Sequence, residues 1–409
     1  MTPEMLLKEA EGINDVILAT RRKLHKNPET GFDLKNTVAL VRNELKSMGI
    51  TPVDCGRAGI TAVIGGKKPG KVFLLRADMD ALPIKEEAEV EFCSENGKMH
   101  ACGHDMHTAM LLGAARLLKA HEEELEGCVK LMFQPAEEIF EGSSDMLEAG
   151  LLENPKPDAA LMIHVMAGIP FKTGTVIVSA PGVSAPAADY FEIKVKGVGS
   201  HGSMPNLGID PLSAAAHILI ALQEISAREL ALADKAVLTV GTLHSGTAAN
   251  AIPDTAVMGG SIRTFDEEIR SFLKERITDI SQSVAKAFRA EADVVFGSGC
   301  PTLVNDAALS GDALKYLKEL LGGERVFSAE QMKSTGKSSK TAGSEDFAYV
   351  SHKVPSIMLA LAAGQQEKGY KYPQHHPKVC FDEEALAVGS AVYAYTASRW
   401  LEENNGNGN

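Results

Sequence analysis

Residues 99–107, Met-His-Ala-Cys-Gly-His-Asp-Met-His, pack one thiol, three imidazoles and a carboxylate into nine positions. That mixture of soft and borderline donors is the chemistry of metal binding. Cys102 and His104 stand two apart, so in extended backbone both project from one face and can reach one ion. Small neighbours, Ala101 and Gly103, let the main chain come close. Taken alone, a Cys-x-His reads equally well as a buried cysteine beside a histidine-rich turn.

The elements around this segment point the same way. Residues 71–78, 129–133 and 159–163 are continuous apolar runs, the pattern of strands buried on both faces. Helical stretches at 108–120 and 144–152 lie between them, so the alternation predicts a mostly parallel sheet covered by helices. Two helical segments precede it, one carrying Leu6, Ile13, Val16, Ile17 and Leu24 on one face and one at 37–48, stopped by Gly49. Ligands of open α/β sheets bind beyond the carboxyl ends of the strands. Asp78 and Asp80 follow the first strand, Gln134 to Glu138 the second, and His164 the third. Singly each is an N-cap or a solvated loop residue; together they are expected to converge.

A Ser/Ala/Pro/Gly-rich stretch at 179–188 reads as a domain crossing. The order that follows, a strand at 189–196, a helix at 211–224, strands at 236–243 and 256–263, a helix at 267–288 and a strand at 293–296, is βαββαβ. The expectation is therefore an α/β catalytic domain with a mostly parallel mixed sheet, residues 1–184 and 301–409, interrupted by a smaller α+β lid or dimerisation domain, residues 185–300. The polar tail 402–409 is expected to be disordered.

Composition removes several functions. A formal charge of −13 argues against a nucleic-acid partner. No apolar run approaches the roughly 20 residues that span a bilayer, so no membrane role is expected. The acidic, amphipathic start lacks the form of a signal peptide, so a cytoplasmic location is expected. Six scattered cysteines then read as reduced thiols. No Gly-x-Gly-x-x-Gly turn follows the first strand, which disfavours a dinucleotide enzyme.

Several motifs in order resemble one family, the aminoacylase, hippurate hydrolase and auxin-conjugate hydrolase group of dinuclear metal amidohydrolases. They are Arg76 to Pro83, Met99 to His107, Phe133 to Glu138, Gly199 to Gly202 with Asp210-Pro211, Asn250 to Pro253, Gly343 to Phe347, and His375-His376-Pro377 with Asp382-Glu383. The resemblance implies that Cys102, His104, Glu138, His164 and His375 hold two divalent ions, with His375 favoured over His376. Sulfur, nitrogen and oxygen donors suit zinc or manganese, with cobalt or nickel also within range, and suit calcium and magnesium poorly. Glu137 resembles the general base, Asp80 a group that orients an imidazole, and His201 an oxyanion donor that acts in its own subunit or across a dimer interface. His100 and His107 read as outer-shell residues. Asn250 and Arg263 are assigned to a substrate carboxylate, although Arg263 reads equally as a strand-face salt bridge and Asn250 as a turn residue. Glu345 and Asp346 line the cleft or cap a helix.

Glu137 and Glu138 raise a difficulty. Neighbouring strand residues face opposite sides, so both serve one site only where the backbone has left strand geometry. The implied activity is hydrolysis of N-acyl-L-amino acids by a homo-oligomer, dimer or tetramer. A dipeptidase or carboxypeptidase on the same fold is the alternative.

Overall fold

The computed structural model describes residues 2–329, 331 and 343–405. The chain splits into two compact units, one of Met1–Ser184, Val304–Lys340 and Glu345–Asn409, the other of Ala185–Leu303 with Thr341–Ser344.

In the larger unit, three helices come first: α1 (Pro3–Gly12), α2 (Asn14–Lys26) and α3 (Lys35–Ser47). The single opening helix expected from periodicity is broken at Ile13, directly after Gly12, a residue that weakens a helix interior by roughly 1 kcal/mol. The strands are β1 (Val53–Cys55), β2 (Gly59–Gly65), β3 (Val72–Asp78), β4 (Cys128–Gln134), β5 (Ala159–Met166) and β6 (Val176–Val178), joined after the smaller unit by β15 (Val326–Ser328) and β16 (Ser356–Ala362). They form one mixed sheet in the order β1-β2-β4-β3-β5-β16-β6-β15. Its centre, β4-β3-β5-β16, is parallel. Every residue of β3 and β4 is buried, as their mostly apolar runs lead one to expect. Helix α4 (His104–Ala120) and the C-terminal helix Ala385–Asn405 pack Met106, Leu111, Ala391 and Tyr395 into one core with Phe73, Leu131 and Leu359. Residues 402–405 continue that last helix, contrary to the expected disorder; 406–409 lie outside the described residues.

The smaller unit is a four-stranded antiparallel sheet in the order β10-β12-β8-β13, built from β8 (Ala187–Lys196), β10 (Ala236–Ser245), β12 (Thr255–Thr264) and β13 (Glu291–Cys300). Along β8 buried and exposed residues alternate, so one face is covered. Helices α6 (Pro211–Ala221) and α7 (Glu267–Ala287) cover it through Ile218, Leu273 and Ile277. Both start on an aspartate N-cap, Asp210 before Pro211 and Asp266 before Glu267. Among the described residues no helix is long and apolar enough to cross a membrane.

One ion pair fastens α7 to the sheet. The buried Asp189 carboxylate of β8 takes Arg270 Nε and Nη2 at 2.7 and 2.8 Å and Lys274 Nζ at 2.6 Å. Asp189→Ala leaves two cations without their shared anion, and a loss of about 3 kcal/mol is expected in urea unfolding.

Candidate metal centre

Parallel pairing sets Asp78 opposite Gln134 and Arg76 opposite Met162, so the carboxyl ends of β4, β3 and β5 finish side by side. Beyond β4 the chain departs from strand geometry at once. Pro135 cannot donate to a ladder, and Ala136 is left-handed at φ 52°. The Asp80 carboxylate then accepts the backbone N–H of Glu137 at 3.0 Å and of Glu138 at 3.3 Å. Released from strand alternation, the two glutamates share one pocket: His104 Nε2 lies 3.9 Å from Glu137 Oε2 and 3.8 Å from Glu138 Oε1.

Cys102 and His104 are not extended, as their spacing had suggested. Cys102 lies in a turn, Gly103 takes φ 90°, and His104 is the first residue of α4. A Cβ at Gly103 would sit 2.5 Å from Val165 Cγ2, so only glycine lets the turn approach β5. The turn still converges the donors. Cys102 Sγ is 3.5 Å from His164 Nε2, and His375 Nε2 is 3.6 Å from Glu138 Oε1. Ligand atoms of Cys102, His104 and His164 lie within 4.8 Å of one another, as do those of Cys102, Glu138 and His375.

Two features fit cations in this pocket. His104 Nδ1 meets the Asp80 carbonyl at 2.9 Å and His164 Nδ1 the Val165 carbonyl at 2.8 Å. Each ring therefore donates from Nδ1 and presents the lone pair of Nε2, the arrangement of metal-bound imidazoles. In addition, His104 Nε2 and Glu138 Oε1 are buried with no hydrogen-bond partner, a costly state that a bound cation resolves. With protein charges alone, burial pushes the Cys102 thiol well above its usual range, and Glu138 adds to the rise. Burial together with Glu345 and Glu138 likewise raises Glu137, and Glu138 is pushed up to about 7, chiefly by burial. Divalent charge in the pocket acts in the opposite sense on all three.

Asp80 meets the His104 imidazole chiefly through its main chain. Its carboxylate Oδ1 stands 3.5 Å from His104 Nδ1, while its main-chain oxygen takes the imidazole bond and its carboxylate holds the two glutamate amides. His107 is fully engaged, Nδ1 with Asp78 Oδ1 at 2.5 Å and Nε2 accepting from the Val165 amide at 2.9 Å.

Sequence reasoning gave Arg76 no role, yet it organises the pocket. Fully buried, it donates to Gln134 Oε1 and Asp78 Oδ2 at 2.8 Å and to both Glu345 oxygens at 2.7 and 3.2 Å, and it lies 3.4 Å from Asp346 Oδ1. The signal was present: a lone arginine in an otherwise apolar two-faced strand must meet buried anions. Glu345 and Asp346 are thus placed beside the metal donors, and ligand atoms of Glu137, Glu345 and Asp346 come within 4.8 Å of one another.

In the smaller unit His201 pairs with Ala251 across a two-residue ladder, and Gly202 N–H donates to the Asn250 carbonyl at 2.8 Å, so His201 and Asn250 lie side by side on two exposed segments. His201 Nδ1 accepts from the Ser203 amide at 3.2 Å, which leaves the ring proton on Nε2. Arg263 is elsewhere. It sits near the far end of β12, paired with Val237 and Ala188 and donating to Ser344 Oγ at 2.7 Å. The nine strand residues from Thr255 to Arg263 span about 26 Å. Asn250 lies beyond the Thr255 end of that strand, so Asn250 and Arg263 of one chain stand too far apart to grip one carboxylate together.

The model of peptidase family M20/M25/M40 matches residues 74–399. The chain is similar to Thermostable carboxypeptidase 2 of Saccharolobus solfataricus, 37% identical over 404 residues that cover 97% of this chain and 98% of that one. It is similar to N-acetyl-L-cysteine deacetylase of Bacillus subtilis, 36% identical over 393 residues, 95% of this chain and 89% of that one. Among solved structures it resembles the YXEP protein of Bacillus subtilis, described as a dinuclear metal binding peptidase, with a TM-score of 0.77, 33% identity and coverage of 96% and 99%.

Cys102→Ala removes the sulfur that stands beside His164 and adjoins Glu138. Protein refolded with excess zinc or manganese and then dialysed is expected to hold less metal per chain than wild type by elemental analysis, with an unchanged far-UV spectrum.

Proposed function

Because the chain belongs to peptidase family M20/M25/M40, we propose that it is a metal-dependent amidohydrolase that cleaves N-acyl-L-amino acids into a carboxylic acid and a free amino acid. The observation that carries this reading is the pocket in which His104 Nε2 and Glu138 Oε1 lack partners beside the buried Glu137 carboxylate. A similar protein named for deacetylating N-acetyl-L-cysteine supports the substrate class.

Two divalent cations held by Cys102, His104, Glu138, His164 and His375 would supply Lewis acidity to the scissile carbonyl and to the attacking water. Zinc or manganese matches these donors best, with cobalt and nickel as further candidates. Glu137 takes the proton of the attacking water and returns it to the leaving amine. Asp80 holds the amides of Glu137 and Glu138, so both carboxylates point one way. His201 donates from Nε2 to the carbonyl oxygen as negative charge develops there. Arg263, with a planar fork of donors, and Asn250 are the carboxylate-binding candidates. Their separation along β12 supports a homo-oligomer, a dimer or tetramer, in which His201 and Asn250 of one chain serve the reaction of another. The smaller unit is then a lid and dimerisation domain, and the enzyme works in the cytoplasm.

The name of the carboxypeptidase relative favours a second reading, hydrolysis of a C-terminal peptide bond. Metal-loaded protein offered N-acetyl-, N-benzoyl- and indoleacetyl-amino acids beside unblocked dipeptides separates the two. Release of amino acid from the acylated series is expected, and turnover confined to dipeptides refutes the amidohydrolase reading. Glu137→Gln is expected to keep its metal while kcat falls by about 10²–10⁴-fold; metal content and rate measured on one preparation check this.

A further inference from the structure

A second set of buried charges adjoins the donor segment through Asp105, the residue after His104. Arg21 and His25 stand four apart on α2 and so share a face. Arg21, His25, Asp105 and Glu86 are each less than 8% exposed. One oxygen, Asp105 Oδ2, meets Arg21 Nε at 2.7 Å and His25 Nδ1 at 2.8 Å. The other ring nitrogen of His25 meets Glu86 Oε1 at 2.9 Å, and Glu86 Oε2 accepts the Ser94 amide at 2.7 Å. A neutral imidazole carries one N–H, so carboxylates on both nitrogens favour the imidazolium, against the Arg21 guanidinium, whose Nη2 stands 3.2 Å from His25 Nδ1. Burial alone would depress the His25 pKa, yet Asp105 and Glu86 hold it above its usual value. Outside this set, Glu383 bonds Arg21 and Arg22, and the Phe92 ring lies edge-on to His25 with centroids 5.2 Å apart. No step of the proposed reaction uses any of these groups.

We propose that His25 is a positioning residue for the metal centre: by holding Asp105 it fixes the first turn of α4, and with that turn the aim of His104 and Cys102. Asp105 is the second residue of α4, and His104 and Cys102 stand one and three residues before it. The turn has other restraints: the close approach of Gly103 to Val165, the bond from His104 Nδ1 to the Asp80 carbonyl, and the bonds of His107 and Thr108 to Asp78 and of the Val165 amide to His107. None of them holds Asp105, whose ionic partners are Arg21 and His25. Loss of the imidazolium leaves Asp105 with Arg21 as its one ionic partner and Glu86 with none among the described residues, so the turn gains freedom to move its donors off target. Outer groups that orient metal ligands change metal affinity by about 10–100-fold, which sets the size of the effect.

The inference rests on the metal-centre reading above, and the test separates the two. Chelator competition gives the apparent Kd of zinc and manganese for wild type, His25→Gln and Glu86→Gln, and thermal melts of the metal-free proteins give their stability. Wild type is expected to bind two ions per chain. His25→Gln is expected to bind them about 10–100-fold more weakly. Glu86→Gln, which removes the negative charge of the outer of the two carboxylates on His25, is expected to weaken binding less. A His25→Gln protein that melts earlier but binds metal with the wild-type Kd overturns the proposal and leaves His25 a purely structural group. If that variant does not fold, Glu86→Gln decides alone: weakened binding supports the proposal and wild-type binding overturns it. Wild type that takes up no metal overturns both the metal-centre reading and this proposal.

Discussion

Carboxylates withdrawn from water are the constraint around which the larger unit is organised. Asp78, Asp80, Glu137, Glu345 and Asp346 are all buried at the carboxyl end of the central sheet. A dry interior tolerates such groups only where cations or donors answer them. Arg76 answers three of them from the middle of the sheet, backbone amides answer Asp80, and the imidazole of His107 answers the other side of Asp78. Glu138 Oε1 and His104 Nε2 are left over, and they face each other at 3.8 Å. Glu137, its pKa raised by burial and by Glu345 and Glu138, stands beside them, so the unanswered groups of the pocket gather where metal donors converge.

Much of this was legible from residue types. A sheet buried on both faces announces itself as apolar runs, and the acids and imidazoles at the run ends name the place where a ligand sits. The alternation of β8 and the βαββαβ order of the smaller unit were equally plain, because period and burial are tied by geometry. The backbone around the donors was harder to see. Helix α4 begins at His104 rather than Thr108 because three residues of its first turn, His104, Asp105 and His107, are polar and leave Met106 without an apolar period; those three are buried for their partners and not for their hydrophobicity. The left-handed Ala136 could not be read at all, since alanine has no preference for that region. Yet that residue lets adjacent glutamates share a pocket.

Distance along a strand was the other thing hidden. Asn250 and Arg263 lie thirteen positions apart and seem neighbours in the sequence, but an extended chain turns a short separation in number into a long one in space. A helix of the same length would have kept them about 20 Å apart. The role of His201 came from resemblance and the carboxylate role of Asn250 and Arg263 from side-chain chemistry, and both leave relative position open.

That extended stretch of β12 carries a kinetic consequence. If a substrate's carboxylate is to be gripped by both Asn250 and Arg263, two polypeptides must contribute, and the competent species obeys mass action. Specific activity per chain would then decline on dilution below the subunit dissociation constant, while the pocket lined by Cys102, His104 and Glu138 stayed whole within each chain. Mixing two differently crippled versions, one altered at Asn250 and one at Arg263, would regenerate a fraction of intact sites by subunit exchange.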